Sequence, residues 1–134
     1  MYSLVEGTAQ LKVGHGPEGD LGAMTSPRQF AIIEAHYQDA LAQGAKASGP
    51  LERQGNYVKP VVIWNVHHGM RIMHEETFGP LLPVMPFKTE ADVVQLANDN
   101  DYGLNASIWS EDFDKAKRVA RQLQTGNWVI NDVI

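Results

Sequence analysis

Val61-Val62-Ile63-Trp64, followed one residue later by Val66, is the stretch that most restricts how this chain folds. Three of the four consecutive apolar residues are β-branched, which suits a pleated strand. A strand with one wet face alternates apolar and polar side chains. A strand that is apolar throughout is covered on both faces, as in the sheets of α/β proteins. His67, His68 and Gly69 end the run.

The flanking pattern supplies covering helices. Ser26 is a good N-cap, Pro27 suits the first helical position, and Gln29 stands where a capping box needs it. Phe30, Ile33, Tyr37, Ala40 and Leu41 share one helical face, and Gly44 is placed to stop the helix, so residues 27–43 are predicted helical. Ala45 to Ser48 is a short strand candidate, and Gly49 to Gly55 reads as loop. Met70 to Thr77 reads as a helical turn. Leu81 to Phe87 reads as a strand in which Pro83 and Pro86 favour an edge. Thr89, with Asp92 three residues on, caps a further helix carrying Val93, Val94, Leu96 and Ala97. Leu104, Ala106 and Ile108 alternate with polar neighbours as a strand does. Ser110 then caps a helix with Phe113, Ala116, Val119, Ala120 and Leu123 on its inner stripe. Gly126 closes that helix, and Trp128 to Ile130 starts a last strand.

From residue 60 onward the order is β-α-β-α-β-α-β. It predicts an α/β layered parallel sheet with flanking helices and right-handed connections. Before residue 26 a short apolar start (Leu4, Val5, Leu11, Val13) leads into glycine-rich residues that read as surface loop. With 134 residues, 43% hydrophobic and 20% charged, one domain over residues 1–134 is expected.

Composition also excludes chemistry. The chain has no cysteine, hence no disulfide, thiolate zinc site, iron–sulfur cluster or thiol nucleophile. Sixteen acidic residues against 11 basic ones, net charge -5, argue against nucleic acid as a partner. No apolar run is long enough to span a bilayer. Residues 1–13 lack a basic region followed by an apolar stretch, so no signal peptide is expected and a cytoplasmic location is. No serine stands in a nucleophile elbow. His15, His36, His67, His68 and His74 read as solvated loop histidines without the spacing of a metal site.

The strongest local constellation is Glu75-Glu76-Thr77-Phe78-Gly79-Pro80. A carboxylate beside an aromatic face suits a sugar hydroxyl next to a flat heterocycle. From spacing alone the same residues also read as a solvated helix end with one apolar anchor.

Along nearly its whole length the chain resembles the NAD(P)-dependent aldehyde dehydrogenases, specifically the C-terminal part of their catalytic domain. The resemblance begins near Leu11-Lys12-Val13-Gly14 and continues through Gly22 to Gln29, Asp39-Ala40, Gly44-Ala45-Lys46 and Pro60-Val61-Val62. Its most specific part is Met73-His74-Glu75-Glu76-Thr77-Phe78-Gly79-Pro80. Ala97-Asn98-Asp99, Tyr102 to Ser107 and Gly126 to Asp132 follow. The resemblance implies that Glu76 matches the carboxylate holding the nicotinamide ribose hydroxyls and that Phe78 matches the aromatic near the nicotinamide ring. It implies NAD or NADP as the cofactor. The family's thiolate, its general-base glutamate and its Rossmann-like cofactor domain have no counterpart among these residues. The expectation is therefore an aldehyde-dehydrogenase-like polypeptide inactive alone, with no catalytic residue of its own. The alternative is a non-catalytic interaction domain. Either would expose apolar surface and associate with itself or with a complementary protein.

Overall fold

The computed structural model describes residues 2–133 and, for Tyr2, the backbone. In chain order its elements are α1 (Tyr2–Gln10), α2 (Pro27–Ala42), β1 (Lys46–Ala47), β2 (Arg53–Gln54), β3 (Tyr57–Val58), β4 (Val61–Trp64), β5 (Leu81–Val84), α3 (Glu90–Asn98), β6 (Asn105–Ile108), α4 (Phe113–Ala120) and β7 (Asn127–Ile130). Short 3₁₀ turns lie at Gly16–Glu18 and Arg71–Met73. Two compact units divide the chain, Met1–Pro86 and Phe87–Ile134.

In the first unit the apolar run is β4, the central strand of a sheet ordered β1-β4-β5. It runs antiparallel to β1, pairing Ala47 with Ile63, and parallel to β5, pairing Val61 with Leu81 and Trp64 with Val84. Val61, Val62 and Ile63 are at most 2% exposed, as a strand covered on both faces requires. Val61 and Ile63 join Ile33, Tyr37 and Ala40 of α2 in one core cluster, together with Met70 and Leu81. Val62 points to the opposite face, and α1 packs on the same strand. Burying each such aliphatic side chain stabilises the unit by about 1.5–3 kcal/mol. Pro83 sits on β5, an edge strand, where its missing N–H breaks no interior ladder.

Helix α2 begins after Ser26 with Pro27 in its first turn, but the Ser26 side chain makes no capping bond. The expected capping box is corrected: the Gln29 side chain leaves the helix end to bond elsewhere. At the other end Gly44 adopts φ 94°, Gly44 N–H donates to Leu41 O (3.0 Å), and Ala45 N–H donates to Ala40 O (2.9 Å). That pair of bonds is a Schellman stop, which needs a residue tolerant of the left-handed region.

Four further expectations in this unit are corrected. The start of the chain forms α1, with Val5 and Thr8 half-buried at helical spacing. Arg53–Gln54 of the expected loop 49–55 is the strand β2, which pairs with β3 just beyond it as a hairpin, Gln54 opposite Tyr57, across the two-residue turn Gly55-Asn56. The turn expected over 70–77 shrinks to Arg71–Met73, and residues 75–78 run on without helix. His36 is on α2 and fully buried, not solvated.

The second unit holds the predicted helix α3, closed by a complete capping box. Asp92 N–H donates to Thr89 Oγ1 (3.1 Å), and Thr89 N–H donates to Asp92 Oδ2 (3.0 Å). Strands β6 and β7 pair in parallel, Ala106 opposite Trp128 and Ile108 opposite Ile130, with α4 between them in sequence. The cap of α4 is Asp112, which accepts from Lys115 N–H at 2.9 Å. Ser110 instead accepts from Asp112 N–H one step earlier. Ala116, Val119 and Ala120 are buried as expected, while Phe113 and Leu104 are exposed. The α/β arrangement of parallel strands and helices expected from residue 60 onward is present. Parallel pairs form, β4–β5 and β6–β7, but in separate sheets.

Among the described residues no helix is long and apolar enough to cross a membrane. Nor does any group of three or more His, Asp or Glu side chains among them stand ready to hold a metal ion.

Candidate cofactor-contacting loop

The loop at residues 75–80 joins the Arg71–Met73 turn to β5 and lies wholly in the first unit. Its side chains alternate. Glu75 and Thr77 turn toward α2, while Glu76 and Phe78 are exposed, the Phe78 ring at 70%. The Glu76 side chain forms no hydrogen bond or ion pair with any described residue. Phe78 has φ 42°, in the left-handed region that non-glycine residues rarely enter. Holding it there costs about 1–3 kcal/mol, which the neighbouring contacts must offset.

Those contacts are specific. His36 Nε2 lies 3.1 Å from Glu75 Oε2, and His36 Nδ1 lies 3.0 Å from Thr77 Oγ1. An ionised carboxylate only accepts, so Nε2 carries the hydrogen in this pair. In the neutral ring Nδ1 then accepts from the Thr77 hydroxyl. Arg71 grips Glu75 with both Nε and Nη2, each at 2.8 Å. These bonds pull the Glu75 carboxyl down from its ordinary 4.5 to about 2, Arg71 first and His36 second. The same pairing raises Arg71. Gln29 Nε2 donates to Thr77 O at 2.6 Å. Gly79 packs so closely on Ile33 that a Cβ there would collide with Ile33 Cγ1 and Cδ1. Glycine is favoured there by space, since the contact is with a fully buried isoleucine.

Glu76 and Phe78 thus stand on one loop with both residues exposed. A carboxylate without a partner among the described residues, two positions from an exposed aromatic ring, offers hydrogen-bond acceptors and a stacking face. Sequence reasoning missed His36. Its signal was spacing: it stands three residues after Ile33 on the apolar stripe of α2. It also gave Gln29 a capping role in place of its bond to Thr77. Lys59 pairs with Glu52. A separate cavity of about 680 Å³, lined by Val5, Leu11, Val13, Tyr57 and Pro60, includes no residue of the 75–80 loop.

The Aldehyde dehydrogenase family profile matches residues 1–134. The chain belongs to that family. It is 67% identical over 131 residues to a 4,4'-diapolycopene aldehyde oxidase of Methylomonas, covering 98% of this chain and 25% of that protein. It superposes with TM-score 0.94 and 34% identity on the NADP-dependent glyceraldehyde-3-phosphate dehydrogenase from Bacillus halodurans, solved with NADP, covering 99% of this chain and 28% of that one. Betaine aldehyde dehydrogenase from Staphylococcus aureus, solved with NAD⁺, superposes with TM-score 0.90 at 34% identity, again covering 99% and 28%. The chain therefore spans between a quarter and three-tenths of the length of these relatives.

Proposed function

We propose that this chain is the part of an aldehyde dehydrogenase that contacts the nicotinamide end of the cofactor. Glu76 holds the ribose hydroxyls, Phe78 lies against the nicotinamide ring, and the cofactor is NAD or NADP. When bound, the cofactor supplies a hydride acceptor; the residues here bind and orient it. The observation that carries this reading is the exposed Glu76, unpaired among the described residues, beside the exposed Phe78 on a loop tied down on its other side. A polypeptide of this sequence has no cysteine and supplies no thiolate, so alone it oxidises no aldehyde. The aldehyde proposed for an assembled enzyme is that named for the 67%-identical relative, a diapolycopene aldehyde.

Calorimetric titration with NAD⁺ of the wild-type chain and of Glu76→Gln tests the cofactor assignment. Binding that weakens in the variant supports it, and absence of binding by the wild type refutes it for the chain alone. Adding a protein that carries the complementary portion, then comparing that aldehyde with betaine aldehyde, tests the substrate.

A second reading is an interaction domain that self-associates or binds a complementary protein. It is favoured by the exposure of Leu104 (78%), Trp109 (63%) and Phe113 (56%) in the second unit. Light scattering that shows a monomer at high concentration counts against self-association.

A further inference from the structure

The loop that carries Glu76 and Phe78 is held by one face of α2. Gln29, Ile33, His36 and Asp39 follow one another at steps of four, three and three, so they form a single stripe along that helix. Each meets the segment 71–79 at a different point. Asp39 Oδ2 accepts from Arg71 N–H at 3.0 Å, His36 reaches Glu75 and Thr77, Gln29 donates to Thr77 O, and Ile33 fills the space beneath Gly79. His36 is the centre of this stripe. It is fully buried, and both of its ring nitrogens are spent on residues that flank Glu76. An apolar side chain of similar size would fill the same space, but it would release the Thr77 hydroxyl and leave the Glu75 side chain to Arg71 alone. Fixing those two residues restrains the one between them, because its backbone is then held on both sides.

We infer that His36 is a positioning residue for the cofactor loop: its two ring nitrogens lock Glu75 and Thr77 inward and thereby hold Glu76 and Phe78 outward toward the nucleotide. That the locked loop serves a nucleotide rests on the reading proposed above; the lock itself does not. His36 touches no ligand. It acts through Glu75 and Thr77, and Arg71 and Asp39 brace the near end of the same segment.

The test uses the full chain and two independent readouts. The first is loop order without ligand, from ¹⁵N relaxation of the Glu76, Thr77 and Phe78 amides. The second is NAD⁺ affinity. His36→Phe removes both ring-nitrogen contacts while keeping the bulk. His36→Gln retains reach toward Glu75. Thr77→Val, nearly isosteric and on the loop, removes only the Nδ1 contact and serves if the histidine variants fail to fold. The expected result is faster amide motion confined to the loop in His36→Phe and Thr77→Val. NAD⁺ binding is expected to weaken about tenfold on loss of one or two such hydrogen bonds, with partial recovery in His36→Gln. Unchanged loop order in the folded His36→Phe and Thr77→Val variants overturns the inference. A loosened loop in a chain whose wild type binds no NAD⁺ supports the lock and instead refutes the cofactor reading.

Discussion

The two compact units spend their apolar residues differently. In the first, Ile33, Ala40, Val62, Ile63 and Met70 are completely buried, and the core continues through β4 to both its faces. In the second, burial among the described residues reaches only Ala116, Val119 and Ala120, while Trp109, Phe113 and Val133 are exposed. Both units also carry a bidentate arginine–glutamate pair. Arg71–Glu75 is backed by a buried histidine, whereas Arg118–Glu90 joins α4 to α3 on an exposed surface. The first unit is therefore specified from within. The second is specified by caps, local turns and a surface ion pair, and it leaves Trp109, Phe113 and Val133 exposed.

The largest expected effect that tests this contrast pairs two truncations. Ile63→Ala in the first unit should lose about 2–5 kcal/mol, whereas Phe113→Ala in the second should stay within about 0.5 kcal/mol. Urea denaturation of both checks it, and equal losses break the comparison. Next, Gly79→Ala should destabilise by about 1–3 kcal/mol because the new methyl meets Ile33. In an Ile33→Ala background the same change should cost less, and additive losses would show that the clash is not the cause. Thr89→Ala, which opens the capping box of α3, should lose about 1 kcal/mol, read from thermal unfolding.

The smallest effect concerns acid. The Glu75 carboxyl titrates lower in the folded chain than its ordinary 4.5, at about 2. The unfolded chain thus binds the proton more readily, so the contribution of Glu75 is full above about 4.5 and disappears as pH falls through about 2. Wild type and Glu75→Gln should differ in urea midpoint near neutrality and approach each other toward pH 2. A constant gap across that window would break the assignment.

Several of these features were legible in residues. The doubly buried β4 followed from an unbroken β-branched run, the α3 cap from Thr89 and Asp92, and the end of α2 from Gly44. The loop itself was legible as Glu76 beside Phe78. Pairing was not: strand patterns show which face is apolar but not which strand lies alongside, so separate sheets could not be told from one. Two-residue strands such as β2 and β3 are too short for periodicity, although Gly55-Asn56 is a hairpin turn signal. His36 was hidden by its residue type, since a polar side chain on an apolar stripe declares its burial only when its partners, 39 and 41 residues further on, are folded against it. Ser26 and Gln29 satisfied the capping-box spacing, but a tertiary acceptor, Thr77 O, took the glutamine.

The backbone at Phe78 sets a trap for anyone engineering this chain for robustness. A left-handed residue without a special reason is the first place a stability design substitutes glycine, and glycine would relax the torsion at φ 42°. The substitution would also delete the exposed ring and loosen the loop that presents it. Thermal scans would rank the variant as an improvement, and under the proposed cofactor role NAD⁺ titrations would rank it last. At this position selection for melting temperature and selection for binding pull in opposite directions.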